Sequence, residues 1–185
     1  DTVYAITLDN RLYAWGNNYW GQVGNGKSGY HEKQTTPYEI KEVGKVKSIK
    51  VYQYEYAIHE YATVYAITVY AITEDDRLYA WGDNIQNTPY EFKEIGKIKS
   101  FEEKEGNFYL STIDDRLFTW GKDGKVGNGE IPYEIKEVEA YKRVEEYNGT
   151  FYAITLDNRL YAWGDNSSGQ VGNSKSGDEE KQITQ

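Results

Sequence analysis

The chain has 185 residues, of which 16% are aromatic and only 38% hydrophobic, and it carries a net charge of −9. That length suits one domain with a real core, but nineteen tyrosines supply much of the apolar area, and each hydroxyl needs water or a partner. The lack of cysteine excludes disulfides and thiolate chemistry, the acidity works against a nucleic-acid partner, and no apolar run approaches the roughly 18 residues of a membrane helix.

In chain order, Tyr4–Gly16 (YAITLDNRLYAWG) reads as a β-hairpin, with two β-rich runs around a polar turn whose Asp and Asn tolerate turn geometry. A loop rich in amides and glycines follows from Asn17. From Pro37, PYEIKEVGKVKSI alternates Lys and Glu with Ile and Val, which predicts a half-exposed strand pair whose charges discourage edge pairing. Residues 51–63 form an insertion that leads into a direct duplication, VYAITVYAIT, at Val64–Thr73. A five-residue shift is odd, so sliding one copy onto the other turns every side chain to the opposite face. Only one copy can hold the hairpin position; the other is a slipped duplication, an extra edge strand or the mark of a chain stitched from incomplete pieces.

The hairpin returns at Tyr70–Gly82, Tyr109–Gly121 and Tyr152–Gly164. The outer module returns from Pro89 and Pro132. Repeat units of one domain, 1–185, run at about 4–50, 65–101, 108–145 and 151–185, the last lacking its outer module. Trp15, Trp81, Trp120 and Trp163 hold one equivalent position and are assigned to the core, each followed by a glycine that permits a turn. Four strands in about 40 residues, repeated, is the pattern of propeller blades. Four hairpins and three outer pairs make fourteen strands, so the expected fold is an all-β, β-propeller chain of four-stranded blades forming an incomplete ring. An unpaired edge then calls for a longer propeller or for self-association with other copies.

These residues, above all LYAWGNNYWGQVGNG with TPYEI and VKSI, and LYAWGDNSSGQVGNS in the last copy, resemble the repeats of the regulator of chromosome condensation family. The resemblance covers roughly 4–174 and implies a propeller, usually of seven blades, that binds proteins through loops on its faces. Its members include an exchange factor for a small GTPase, a photoreceptor and an inhibitor of β-lactamase, so the resemblance fixes fold more firmly than function. The Gly-Gln-Val-Gly loop is absent from the second copy and shortened in the third.

No enzyme chemistry assembles from these residues. His31 and His59 stand apart without cysteine or a paired histidine, so no metal site is expected. The acid pairs Asp75–Asp76 and Asp114–Asp115 fall in hairpin turns, where ordinary turn chemistry accounts for them. GNGKSG at Gly24–Gly29 lacks phosphate-loop spacing, and no cofactor is expected. The loops remain, because polar loops on a rigid scaffold are where binding residues concentrate. The candidate partner-binding residues are Asn17, Asn18, Tyr19, Trp20, Gln22, Asp165, Asn166 and Gln170. Gln22 and Gln170 either meet a partner or bond their own loop backbone. Trp20 aligns with Ser168 and Tyr19 with Ser167, so the repeat does not need rings there; they either anchor a partner or pack on the insertion. The expected function is non-enzymatic binding of a protein partner, with nucleotide exchange on a small GTPase as the alternative. The Lys, Glu, Tyr and Asn bias points to a soluble module at a bacterial surface or outside the cell.

Overall fold

The computed structural model describes residues 1–59, 62–104, 106–121, 132–138 and 141–177. The described residues hold fourteen strands: β1 (Thr2–Ile6), β2 (Leu12–Asn17), β3 (Lys33–Glu39), β4 (Val46–His59), β5 (Ala62–Thr73), β6 (Leu78–Gly82), β7 (Gln86–Glu91), β8 (Ile98–Lys104), β9 (Asn107–Thr112), β10 (Leu117–Gly121), β11 (Tyr133–Glu134), β12 (Tyr141–Tyr147), β13 (Thr150–Thr155) and β14 (Leu160–Gly164). The helical content among them is one 3-10 turn, Lys41–Val43. Four sheets result, ordered β1-β2-β3, β4-β5-β6-β7, β8-β9-β10-β11 and β12-β13-β14, with antiparallel pairing throughout. The chain divides into two compact units, Asp1–Ile98 with the first two sheets and Lys99–Gln185 with the last two.

Each hairpin closes through one local device. In the first turn the Thr7 hydroxyl donates to Asp9 at 2.6 Å and accepts the Arg11 amide at 3.0 Å, while Arg11 pairs with Asp9 at 2.8 Å. Thr73–Asp75–Arg77 and Thr155–Asp157–Arg159 repeat it. The residue before each arginine, Asn10, Asp76, Asp115 or Asn158, takes a positive φ between 61° and 66°, which Asn and Asp adopt most readily among side-chain-bearing residues. Asp76 and Asp115 are therefore turn residues, clamped at 3.1 and 3.0 Å by Lys47 and Lys99 of their own sheets.

The outer module is not a strand pair. Its Pro-Tyr-Glu segment closes the sheet of the preceding hairpin as β3, β7 or β11, whereas its Lys-Ser-Ile end opens the next sheet as β4 or β8. The 3-10 turn carries the chain across in the first instance, and Val43 plugs the core there. Physical sheets are thus out of phase with the sequence repeat.

The insertion lengthens a hairpin rather than adding an edge strand. β4 and β5 pair from Val46↔Thr73 to His59↔Ala62, with irregularities near Val46 and Glu55. The second VYAIT copy takes the hairpin position, since Tyr70 faces Ala80 as Tyr4 faces Ala14. The first copy continues the same strand beyond β6. Residues 60 and 61 of the insertion, and 122–131 of the shortened third loop, lie outside the described residues.

Trp81, Trp120 and Trp163 are buried as expected, but Trp15 is only half-buried. The difference comes from what lies against each ring. Trp81 is sealed by the loop after β2, while Trp120 stacks on Phe108 and Phe101, and Trp163 on Phe151. The glycine after each tryptophan has φ between 103° and 143°, and a Cβ there would run into a carbonyl across the hairpin, that of Ile67 for Gly82. That backbone approach requires glycine.

Candidate functional site

The loops after β2 and β14 fold alike because the same asparagine organises both. Asn18 is buried; its carbonyl accepts the Val23 amide at 2.9 Å, and its NH₂ group donates to Asn25 and to the Lys27 carbonyl. Asn166 does the same for Val171, Asn173 and Lys175. The side-chain carbonyls of Gln22 and Gln170 accept the backbone amides of Trp20 and Ser168, both at 2.8 Å. The Gln22 NH₂ group reaches Thr2 and Asn17, and Asn17 and Asp165 each accept the amide two residues on. The amides are therefore spent on loop geometry, with Asn18, Gln22 and Asn166 out of contact with solvent.

The backbone of the first loop also serves its neighbour sheet. The Gln22 carbonyl accepts the Tyr4 hydroxyl at 2.8 Å and the Trp81 ring N–H at 2.9 Å. Burial pushes the Tyr4 phenol well above its usual range, so it stays a donor. The Gly26 amide donates to the Asn87 carbonyl at 3.0 Å, and Ser28 accepts from the Asn87 side chain.

The aromatic residues of this loop remain. Tyr19 and Trp20 are half-buried and meet edge to face at 4.5 Å; Tyr30 lies 6.1 Å from Tyr19, and His31 packs on Tyr30 at 4.7 Å. Trp20 donates its ring N–H to the Tyr65 carbonyl at 2.6 Å, so one edge of this ring rests on the lengthened hairpin. Tyr30, 79% exposed, is the residue the repeat comparison missed. It follows the loop that the first and fourth copies share in length, and has an aspartate, Asp178, at its place in the fourth copy. The same contrast that marks Tyr19 and Trp20 therefore marks Tyr30.

The carboxylates lie in environments suited to turns. Asp75, Asp114 and Asp157 are held below the usual carboxylate range, first by the hydrogen bond from Thr73, Thr112 or Thr155 and further by the paired arginine. Such groups stay ionised at neutral pH, opposite to the shift of a general acid. In the second unit a cleft of about 370 Å³ lies between β8–β9 and β12, with Ser100, Ser111 and Arg143 on its walls. Burial there raises the Tyr141 phenol.

Two stretches, 9–52 and 147–170, match the regulator of chromosome condensation (RCC1) repeat. No curated protein matches the chain in sequence. Among solved structures, human WBSCR16 shares 20% identity at a TM-score of 0.52, over 98% of this chain and 49% of its own. Prp20p of Saccharomyces cerevisiae, described with its binding to Gsp1p and histones, shares 19% identity at a TM-score of 0.54, over 100% of this chain and 48% of its own. Yeast RCC1 (Prp20) in complex with Kap60 gives 20% and 0.54, over 100% and 46%. The likeness is one of fold: the sheets are blades of a partial β-propeller. The chain spans about half the length of these structures.

Proposed function

We propose that this chain, which carries regulator of chromosome condensation repeats, is a non-enzymatic protein-binding module that meets its partner through the loop after β2. The observation that carries this reading is the file Trp20, Tyr19, Tyr30 and His31, its last two rings exposed, on a loop held rigid by its own amides. Rigid aromatic rings with one polar end are favoured interface anchors because they bring area at little entropic cost. Asn17, Asn18 and Gln22 shape the loop, and Tyr19, Trp20 and Tyr30 make the contact. Asp165, Asn166 and Gln170 shape the fourth loop in the same way, with Ser167 and Ser168 in place of the rings. A net charge of −9 favours a neutral or basic protein surface. The yeast neighbour's binding to Gsp1p, histones and Kap60 supports a protein as the partner class.

The test is chemical cross-linking from the loop, comparing the wild type with Tyr30→Ser and with Tyr19→Ser/Trp20→Ser. The expected result is a protein captured by the wild type and bound at least about tenfold more weakly by both variants, with the melting temperature of Tyr30→Ser unchanged. Equal binding by all three would overturn the assignment of the loop. Accelerated nucleotide release from a small GTPase, insensitive to these substitutions, would assign the alternative function instead.

A further inference from the structure

The turn between β12 and β13 consists of Asn148 and Gly149, with φ of 49° and 75°, and Tyr147 pairs with Thr150 on either side of it. Asn-Gly is the pair that so tight a hairpin turn prefers. A carboxylate reaches into this turn from the strand before it. Glu146, only 5% exposed, accepts the Gly149 backbone N–H through Oε1 at 2.6 Å. The preceding sheet has the same device: Glu103 accepts the Gly106 N–H at 2.9 Å in the turn between β8 and β9. The residue before that glycine is Glu105, whereas before Gly149 it is Asn148. The Glu-x-x-Gly bond is thus part of how these hairpins turn, and the asparagine is what the fourth copy adds.

Asparagine before glycine carries a chemistry of its own. The glycine nitrogen can attack the side-chain carboxamide carbon and close a cyclic imide, provided its proton is removed. Glycine has no Cβ to crowd the closing ring. Asn148 is exposed, and among the described residues nothing holds its carboxamide. Asn25–Gly26, in the loop after β2, is the contrast. The Asn25 carboxamide accepts from Asn18 at 2.9 Å and from the Lys27 amide at 3.1 Å, and it donates to Gln34 at 3.2 Å. Gly26 gives its N–H to the Asn87 backbone carbonyl, which is no base. A third pair, Asn128–Gly129, lies outside the described residues. Asn25 is locked, while Asn148 has a free carboxamide and a neighbouring nitrogen whose proton already rests against a carboxylate.

We propose that Asn148–Gly149 is a self-modification site, with Glu146 as its general base. Glu146 Oε1 takes the proton from the Gly149 nitrogen, which bonds to Cγ of Asn148. The Cγ–Nδ2 bond breaks, and the leaving NH₂ group takes up the proton that Glu146 removed and departs as ammonia. Water then opens the imide. Attack at Cγ leaves aspartate, and attack at the Asn148 backbone carbonyl leaves isoaspartate, in which the main chain runs through the former side chain. Either product adds a negative charge beside Glu146, and isoaspartate also lengthens the turn by one backbone carbon. The Gly149 carbonyl accepts the Asp165 amide at 2.9 Å, so a lengthened turn bears on the start of the loop after β14. The inference rests on neither a partner nor the aromatic file of the first loop.

The full chain incubated at neutral pH tests it by peptide mass spectrometry, which reads each conversion of carboxamide to carboxylate and separates aspartate from isoaspartate. The folded wild type is expected to convert at Asn148 and to keep Asn25 intact, whereas in concentrated guanidinium the two sites convert at similar rates. Asn148 is expected to react at least about tenfold faster in the folded chain than in guanidinium, as a positioned general base allows. Glu146→Gln keeps an oxygen for the Gly149 N–H but removes the base, and should slow Asn148 about tenfold or more. Conversion of Asn148 no faster in the folded wild type than in guanidinium would overturn the proposal, and this comparison stands even where the substitution disturbs folding. A folded Glu146→Gln chain that converts at the wild-type rate would overturn it as well.

Discussion

The ring N–H of Trp81 donates a 2.9 Å hydrogen bond to the backbone carbonyl of Gln22, a residue of the loop between β2 and β3 that also receives the Tyr4 hydroxyl. One carbonyl thus ties a hairpin, its own loop and the next hairpin together. Trp81→Ala should cost about 3–5 kcal/mol, as removal of a buried aromatic does. Trp15→Ala should cost clearly less, because that ring is only half-buried. Chemical denaturation at low protein concentration checks both, and equal losses would contradict the difference in burial.

Gly24 and Gly172 offer a cleaner comparison. Both have positive φ, 78° and 75°, so alanine pays the same backbone penalty of about 1–2 kcal/mol at either place. Only at Gly24 would the new methyl also press on Trp81, at 3.1–3.2 Å. Gly24→Ala should therefore lower thermal stability more than Gly172→Ala. The reverse order would show that the loop is not seated on Trp81.

The loop asparagines should behave as structural residues. Asn18→Ala leaves the Val23 amide and the Lys27 carbonyl without their side-chain partner, a loss of about 1–3 kcal/mol for buried polar groups. Hydrogen exchange of the Val23 amide should accelerate in this variant, and that of Val171 in Asn166→Ala. Unchanged protection of both amides would return these side chains to the surface.

The hairpin turns set an acid response. Asp9 is lowered from 3.8 to about 2, chiefly by the Thr7 hydroxyl and then by Arg11. Its folded value lies below its unfolded one, so its stabilising contribution is full above the unfolded pKa of about 4 and drains away as the pH falls toward 2. Asp75, Asp114 and Asp157 shift in the same direction. Carboxyl titration by NMR should place Asp9 near pH 2, and Thr7→Val should raise it toward the ordinary value. No change on removing Thr7 would assign the shift to Arg11 instead.

Local chemistry made the hairpins legible. Apolar runs around Thr-x-Asp-x-Arg turns bring their own hydrogen bonds, and the glycine after each tryptophan is demanded by a carbonyl within the same hairpin. The amide loops were legible as loops, but their side chains turned inward. A sequence records that Asn18 and Gln22 can bond, whereas only the closed loop decides that the partners are Val23, Lys27 and Trp20.

The sequence by itself determined the repeat, the all-β class, the hairpins and the glycine positions, because each rests on contacts between residues a few positions apart. Tertiary structure decided which strand joins which sheet, splitting the outer module between two of them. It also decided what becomes of the first copy of VYAIT, which continues β5 and pairs with β4 beyond the end of β6. Above all it decided exposure. The identical stretch YAITLDNRLYAWG buries Leu12 in one place and leaves Leu160 open in another, because burial belongs to the neighbour that arrives and not to the strand that waits for it.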